Sequence, residues 1–288
     1  MLVTSSPLVK EIVFGGHLLA IGTASIAASS AILLGRTPTL ILLLMAYLFS
    51  YGAYMLNRGS EVKQDLISNP SRTNFLQSRG RYLKVISAAS FAIGYLLAAT
   101  VNLVFFSALL VPLILAVAYT IGSKKFARVL GSSRLKDKLL VKNLVISFGW
   151  SLIPLLVGLY YGSVPLVLLG LVPFVFLRLM SNTVFFDLRD VRADAEFGVS
   201  TIPVVYGIDL SYRMMNLVDI ASGAYVALLV LTHFFPIYTI VLVLFPIYSI
   251  FYRSISRLPT ANLDFLCDFV ADGEYLFWGP LMFLGKSI

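Results

Sequence analysis

The chain has 288 residues, of which 59% are hydrophobic and 12% are charged, and its formal net charge is +8. A soluble globular protein cannot bury so much apolar surface, so the composition excludes that class and predicts a membrane protein with several spans. The apolar runs have the length of helices, whereas strands of a transmembrane barrel are about half as long and alternate in polarity. We therefore expect an all-α fold, with residues 1–288 forming one transmembrane domain.

About nine apolar segments are long enough, at roughly twenty residues, to cross a bilayer. They lie approximately at 14–34, 38–56, 83–101, 103–122, 139–160, 164–186, 214–233, 235–252 and 264–285. The loops after the second, fourth, sixth and eighth segments are rich in Arg and Lys, and the opposite loops are short and carry little positive charge. By the positive-inside rule, we expect a multi-pass protein of the cell membrane with its N-terminus and these four loops in the cytoplasm and its C-terminus outside. Because the basic residues are explained by topology, we expect no nucleic-acid partner.

Three side chains that carry oxygen lie at the end of the second segment and in the loop that follows it. Asn57, Glu61 and Asp65 recur every four residues, which places them on one face of a continuous helix. Arg58 follows the first of them, and Arg72 comes after a predicted turn. Taken alone, this pattern is also typical of a capped helix end in solvent.

The loop after the fourth segment, 123–138, is strongly basic. Topology explains most of its charges, and Lys124 is the one residue of this loop that we expect to contact a bound anion. Lys142 and Asn143, just inside the fifth segment, are further candidates that would face the interior.

The sixth segment contains a charged residue, Arg178. An arginine within the membrane costs about 2.5–3.5 kcal/mol on insertion scales, so it needs a partner or a watery cavity. The ninth segment begins with four acidic residues, and we expect one of them to pair with Arg178 and join the ninth segment to the sixth. The four are Asp264, Asp268, Asp272 and Glu274.

Asp187, Asp190 and Asp194 close the sixth segment at spacings of three and four, which places them on one helix face. Three neighbouring carboxylates repel one another, and a divalent cation removes that repulsion. Mg2+ suits these ligands because it prefers hard oxygen atoms and completes its coordination with water and substrate phosphate. A solvated acidic helix end has the same spacing, so this cluster alone does not decide between the two hypotheses.

Both clusters are expected on the cytoplasmic side of the membrane, and four segments separate them. This interval suggests two quasi-repeated four-helix units followed by one further helix. Two facing clusters can hold two Mg2+ ions around a single diphosphate and so promote ionisation of a phosphate leaving group. The presence of both clusters therefore favours a metal site over two solvated helix ends.

With these two clusters, the chain resembles the UbiA superfamily of intramembrane prenyltransferases. The first family motif, Asn-Asp-x-x-Asp-x-x-x-Asp, corresponds to Asn57-Arg58-x-x-Glu61-x-x-x-Asp65 in the stretch 57–72. The second, Asp-x-x-Asp-x-x-x-Asp with a following Gly, Thr-x-Pro and Gly, corresponds in the stretch 182–207 to Asp187, Asp190, Asp194, Gly198, Thr201, Pro203 and Gly207. The first match departs at two positions, where Arg58 replaces an acid and Glu61 replaces Asp.

The resemblance implies a ring of nine transmembrane helices around a central cavity with a cytoplasmic cap. It also implies Mg2+-dependent transfer of a prenyl group from an allylic polyprenyl diphosphate to a lipophilic acceptor, with release of diphosphate. We expect two Mg2+ ions, for which Mn2+ can substitute, and no obligatory protein partner. The acceptor we favour is an aromatic precursor of a quinone, and the alternative is a geranylgeranylglyceryl phosphate-type acceptor in ether-lipid synthesis.

The same resemblance implies roles for individual side chains. The implied metal ligands are Asn57, Glu61, Asp65, Asp187, Asp190 and Asp194, and the five acids among them are the implied catalytic residues. The residues expected at the diphosphate are Arg58, Arg72, Lys124, Lys142 and Asn143. A cation-coupled transporter is the alternative from another class, but its acids would line a path through the membrane midplane, whereas the motif acids here cluster at one side.

The asymmetry of the basic loops leads to a test of orientation. A cysteine introduced into the loop 123–138 should react with a membrane-impermeant thiol reagent only from the cytoplasmic side, because positively charged loops stay inside. The native chain has a single cysteine, Cys267, and its replacement by Ala provides the background. Labelling of the loop from outside intact cells would overturn the orientation, and with it the cytoplasmic diphosphate site.

Overall fold

The computed structural model describes residues 6–60, 62–120 and 138–287, and in these ranges every regular element is a helix. The predicted all-α fold is thereby confirmed. The α-helices are α1 Pro7–Phe14, α2 His17–Leu33, α3 Leu40–Arg58, α4 Val62–Ser68, α5 Pro70–Gln77, α6 Gly80–Ala99, α7 Leu103–Ala108, α8 Leu110–Thr120, α9 Val141–Ser151, α10 Ile153–Tyr160, α11 Leu166–Glu196, α12 Ile202–Tyr206, α13 Ile208–Leu231, α14 Leu244–Ser256, α15 Leu263–Phe265 and α16 Trp278–Ser287. Two 3-10 helices cover Ile237–Val243 and Glu274–Phe277, and a π-helix covers Leu266–Ala271.

In the described part of the chain, seven helices are long and apolar enough to cross a membrane, and the bent pair α1–α2 makes an eighth if it counts as one span. The protein is thus a multi-pass membrane protein, but the predicted count of nine spans is not confirmed. The ninth predicted segment consists of α15, the π-helix, a 3-10 helix and α16 in succession, and none of these alone reaches spanning length. The backbone stays in the right-handed helical region at the junctions Leu266, Asp272 and Trp278, so we treat 263–287 as one unit, the last helical segment.

The bend between α1 and α2 measures 56° and depends on a glycine. Gly16 adopts a φ of 80°, a left-handed conformation that glycine populates without steric cost. A Cβ atom at this position would also overlap the ring of Tyr54 on α3. Conformation and space both require glycine here, and the bend allows Val13 of α1 and Leu19 of α2 to line the same cavity.

The long helix α11 lies at the centre of the fold. In its most apolar stretch 61% of the residues are buried inside the protein, against 22–39% in the other six long helices. Phe174 of α11 packs against Trp278 of α16 with ring centroids 5.1 Å apart, and Trp278 also stacks on Phe245 of α14 at 5.2 Å. Large aromatic side chains contribute much of the energy of a core, so α11, α14 and α16 form one packed unit.

Two arginines are fully buried beside this aromatic core. Arg178 of α11 lies 2.7 Å from Glu274 of the last helical segment and also pairs with Asp219 of α13. Arg253 of α14 pairs with the other oxygen of Asp219 and donates to Ser181 at 2.9 Å. The four charged side chains are at most 1% exposed, and their charges sum to zero. Buried charges cost several kcal/mol each unless they are paired, so this network joins four helical segments.

The prediction that Arg178 pairs with an acid of the ninth segment is confirmed, with Glu274 as the partner. The involvement of Asp219 and Arg253 was not predicted, because neither residue shows a local pattern that points to the other helices. Asp219 is 41 residues from Arg178 in the chain, and only the packing of α13 against α11 brings the two together.

Arg178→Ala should lower the apparent melting temperature of the purified protein strongly, because Asp219 and Glu274 would keep their burial and lose their shared counter-charge. Removing one partner of a buried ion pair costs about 3–5 kcal/mol. The exposed Arg213 of α13 offers a matched control, and Arg213→Ala should change stability by no more than about 0.5 kcal/mol. Thermal unfolding in detergent measures both, and equal melting temperatures for the two variants would contradict the role of the network.

Candidate active site

A cavity of about 360 Å3 lies between α2, α3, α8, α9, α11 and the last helical segment. Its wall is apolar over most of its extent and charged at one end, which we call the mouth. The apolar part includes Leu42, Met45, Phe49, Phe105, Leu109, Trp150 and Ile153. The mouth consists of Asn57, Arg58, Asp65, Arg72, Lys142, Arg189, Asp190, Asp268 and Asp272.

Asn57 and Asp65 of the first motif do not lie on one continuous helix, so that prediction is wrong for this pair. α3 ends at Arg58, Gly59 follows as its cap, and the Ser60 hydroxyl donates to the Asn57 carbonyl at 2.8 Å. Glycine weakens a helix because it loses more backbone entropy than other residues, and the next described helix is α4. Asn57 and Asp65 therefore belong to different helices, although both line the mouth of the cavity.

Two arginines hold Asp65. Nη1 of Arg58 lies 2.7 Å from both carboxylate oxygens, and Nη2 of Arg72 lies 3.7 Å from one of them. Arg72 is only 4% exposed, and its Nε and Nη2 make no hydrogen bond within the described residues. Buried donors without an acceptor are costly, and guanidinium groups bind phosphate oxygens with strong charge-assisted hydrogen bonds. Arg72 therefore fits an anion bound in the cavity.

The second motif is held by α9. Asp187 and Asp194 are fully buried, and Nζ of Lys142 lies 2.8 Å from Asp187 and 3.5 Å from Asp194. Asn143 donates from Nδ2 to the other oxygen of Asp187 at 2.8 Å. Because one ammonium group reaches both aspartates, they share a face of α11, in agreement with the spacing of seven residues.

Gly198 determines where α11 ends. Its φ of 68° is the left-handed conformation at which helices commonly stop on a glycine. The amide of Val199 then donates to the carbonyl of Asp194 at 2.8 Å and closes the helix end. The glycine of the motif thus fixes the position of its last aspartate relative to the mouth.

A direct hydrogen bond joins the two motifs. Nε2 of Gln64 on α4 donates to Oδ1 of Asp194 at 2.7 Å, across 130 residues of sequence. Oδ2 of Asp194 and Oδ1 of Asn57 are buried and have no hydrogen-bond partner among the described residues. The two motifs therefore lie side by side, and both contribute buried oxygen atoms that accept no hydrogen bond within the described chain.

Asp268 of the last helical segment connects both motifs, and sequence reasoning did not assign it to the site. Its Oδ1 accepts hydrogen bonds from Nη1 of Arg72 at 2.9 Å and from Nη1 of Arg189 at 2.8 Å, and its Oδ2 accepts from Nδ2 of Asn69 at 2.6 Å. Arg189 also lies 2.7 Å from its neighbour Asp190. One carboxylate thus ties the α4–α5 pair to the end of α11.

A signal for this third acidic element was present in the sequence. Asp268 and Asp272 are one helical turn apart, at the same spacing that identified the first motif. Sequence reasoning considered them only as partners for Arg178. Their place at the mouth depends on how the last helical segment packs against α11, which no local pattern reports.

The mouth fits a divalent cation in charge and in donor type. Six carboxylates lie at the mouth or directly behind it, against four cationic side chains, which leaves an excess of negative charge; they are Asp65, Asp187, Asp190, Asp194, Asp268 and Asp272, with Arg58, Arg72, Lys142 and Arg189. The buried oxygens that accept no hydrogen bond within the described chain are hard ligands of the kind that Mg2+ prefers. Among the described residues no three His, Cys, Asp or Glu side chains converge on one point, and the ammonium of Lys142 lies between Asp187 and Asp194.

The predicted site residues thus fall into three groups. Asn57, Arg58, Asp65, Arg72, Lys142 and Asp190 line the cavity. Asn143, Asp187 and Asp194 lie directly behind Lys142 and are buried. Glu61 and Lys124 lie outside the described residues. The roles of all these residues as metal or diphosphate ligands stay predictions.

The model of the UbiA prenyltransferase family matches residues 19–264, which is most of the chain. The curated protein sequences compared with this chain include no significant match.

Solved structures of similar fold cover almost the whole chain. A UbiA homologue from Archaeoglobus fulgidus bound to GPP and Mg2+ is 14% identical, with 97% of this chain and 100% of that chain covered and a TM-score of 0.70. The apo UbiA homologue from Aeropyrum pernix K1 is 18% identical, with coverage of 93% and 96% and a TM-score of 0.66. A digeranylgeranylglyceryl phosphate synthase is 17% identical, with coverage of 94% and 97% and a TM-score of 0.59. At these identities the likeness shows a shared fold.

The free donors of Arg72 lead to a binding test. Arg72→Lys should weaken the binding of inorganic diphosphate in the presence of Mg2+ about tenfold, because a lysine keeps the charge but lacks the planar fork that can serve Asp268 and an anion together. Arg79→Lys is the matched control, since Arg79 pairs with Glu11 and does not line the cavity. Isothermal titration calorimetry measures both affinities, and equal affinities for Arg72→Lys and wild type would exclude Arg72 from the anion site.

Proposed function

The chain belongs to the UbiA prenyltransferase family, and for this membrane-embedded prenyltransferase we propose transfer of a prenyl group from an allylic polyprenyl diphosphate to a lipophilic aromatic acceptor, with release of diphosphate. The observation that carries the proposal is the meeting of the two acidic motifs, through Gln64 and Asp194, at the mouth of an apolar cavity. A cavity of this kind matches a molecule with an anionic head and an apolar chain. The family assignment argues against cation-coupled transport, because the members of this family are prenyltransferases.

We propose Mg2+ as the cofactor, with two ions bound and Mn2+ able to substitute. Asn57, Asp65 and the three aspartates of the second motif would hold the ions, and Glu61, outside the described residues, would be a further ligand. The Archaeoglobus fulgidus homologue with Mg2+ and GPP supports this choice. When bound, the metal neutralises the negative charge that develops on the departing diphosphate.

The cationic side chains at the mouth would bind and orient the diphosphate. Arg72 offers two buried donors, Nε and Nη2, that make no hydrogen bond within the described chain, and Lys142 adds a positive charge from α9. Arg58 contributes a third positive charge beside Asp65. Asn143 would act indirectly, because its amide already holds Asp187, and Lys124 is retained as a proposed ligand outside the described residues. This arrangement points C1 of the prenyl group towards the apolar part of the cavity.

The reaction proposed here is an electrophilic substitution. The C1–O bond of the donor breaks, and its electron pair leaves with the diphosphate. Phe49, Phe105 and Trp150 line the part of the cavity that would receive the prenyl chain, and they exclude water from the allylic cation. Aromatic faces also attract positive charge. The nucleophilic atom of the acceptor then bonds to C1 and loses a proton.

The mouth of the cavity is proposed to open to the cytoplasm of the cell, with the N-terminus inside and the C-terminus outside. Arg58, Arg72, Lys142 and Arg189 all lie at this end, and the positive-inside rule favours the cytoplasmic side for such residues. The polar diphosphate would then enter from water while the prenyl chain remains among apolar side chains.

The second candidate acceptor is a geranylgeranylglyceryl phosphate. The likeness to a digeranylgeranylglyceryl phosphate synthase, at a TM-score of 0.59, favours keeping it beside the aromatic acceptor. Both acceptors use the same donor chemistry, so they are distinguished only by a direct comparison.

Purified protein should release diphosphate from geranyl diphosphate when supplied with Mg2+ and either 4-hydroxybenzoate or a geranylgeranylglyceryl phosphate, and the prenylated product identifies the acceptor. EDTA should abolish turnover, because the metal neutralises the leaving group. Asp190→Ala or Asp194→Ala should slow turnover at least about a hundredfold, as the loss of a preorganised charge stabiliser does. Absence of diphosphate release with both acceptors would contradict the function, and full activity after complete metal removal would contradict the metal site.

A further inference from the structure

We infer that Asp272 accepts the proton that the acceptor loses during prenyl transfer, an inference that rests on the proposed function. As the C1–O electron pair leaves with the diphosphate, a bond forms between C1 and the acceptor atom. The proton of that atom, on a hydroxyl oxygen or a ring carbon, must then pass to a base within hydrogen-bond reach or across one water. The carboxylates proposed as metal ligands would be bound to the cations, so another group in the cavity is required to accept the proton.

Four carboxylates of the described chain line the cavity, and three of them are paired with arginine side chains. Asp65 and Asp190 each lie 2.7 Å from an arginine nitrogen. Asp268 accepts hydrogen bonds from two arginines and an asparagine. Asp272 makes no hydrogen bond and no ion pair within the described residues, while it faces the same cavity. Of the described cavity carboxylates, Asp272 is thus the one whose oxygens are available.

The packing of the last helical segment against α11 determines how far Asp272 lies from the charged end of the cavity. Asp268 meets Arg189, whereas Glu274 meets Arg178, eleven positions earlier on α11. The two helices therefore run antiparallel, and later residues of the last helical segment lie further from the mouth. Asp272 follows Asp268 by four residues, mostly within the π-helix, so it lies about one helical turn deeper than Asp268.

At that depth the wall of the cavity changes from charged to apolar. The side chains of α11 that line the cavity run from Asp190 and Arg189 at the mouth, through Asn182, to Leu179 in the apolar part. A donor with its diphosphate among the charges and its chain among the apolar side chains has C1 at this boundary. Asp272 therefore lies beside the carbon where the new bond forms, which is where a proton acceptor is needed.

The leaving diphosphate is the rival proton acceptor, and the test separates the two. Asp272→Asn keeps the size of the side chain and removes no hydrogen bond of the described structure, so folding should be preserved. With geranyl diphosphate, Mg2+ and whichever of 4-hydroxybenzoate or geranylgeranylglyceryl phosphate the wild type uses, kcat for transfer at saturating acceptor should fall at least about a hundredfold, as losses of general bases do. Hydrolysis of geranyl diphosphate without acceptor should fall much less than transfer, because ionisation of the donor does not require a proton acceptor.

Two further variants complete the experiment. Asp272→Glu should restore part of the transfer rate, since it keeps a carboxylate on the same helix face. Asp264→Asn is the matched control, because Asp264 lies on the same segment outside the cavity lining, and this variant should behave like the wild type.

The inference fails if Asp272→Asn transfers as fast as the wild type, which would assign the proton to the diphosphate or to another group. It also fails if hydrolysis and transfer fall together, or if only the KM of the acceptor rises, because these results mean a role in ionisation, folding or binding. The proposed function fails separately if the wild type neither hydrolyses geranyl diphosphate nor transfers its prenyl group to either acceptor.

Discussion

This structure depends on one constraint, which is that charged side chains inside an apolar protein must be paired. Several of these side chains lie on α11. Arg178 lies near the middle of the helix, and Asp187, Asp194 and Arg189 lie towards its end; the first three are buried, and the side chain of Arg189 is only 5% exposed. Each is compensated by a side chain from another segment: Glu274 and Asp219 pair with Arg178, Lys142 pairs with both aspartates, and Asp268 pairs with Arg189. Because an unpaired buried charge costs several kcal/mol, these contacts fix the positions of α9, α13 and the last helical segment around α11.

The same pairing of opposite charges determines how the side chains of the candidate active site are arranged. Lys142 stands between two motif aspartates, and Arg58, which replaces an acid of the family pattern, binds Asp65 through both carboxylate oxygens. The chain therefore supplies part of the positive charge that its own carboxylates require. This internal neutralisation allows the carboxylates to lie buried before any donor enters, and the remaining negative charge suits a divalent cation.

Sequence reasoning succeeded where the relevant pattern is local and failed where it is not. The spacing of Asp187 and Asp194 correctly placed them on one face of a helix, and an arginine within an apolar run correctly required an acidic partner. The same spacing rule failed for Asn57 and Asp65, because Gly59 ends the helix between them. It also missed Asp268, although the residue has the same one-turn spacing to Asp272, since that spacing does not reveal what the helix faces.

The sequence by itself determined that this is a helical membrane protein with two oxygen-rich motifs of a known family type. Hydrophobic length, loop charge and residue spacing are properties of short stretches, so they are readable without the fold. Only the tertiary structure decided which charges meet, because the decisive pairs are far apart in the chain. Gln64 reaches Asp194 across 130 residues and Asn69 reaches Asp268 across 199, and no local preference specifies such a contact. Packing of the apolar faces brings these helices together, and the cost of leaving a charge unpaired then selects the pairs that form.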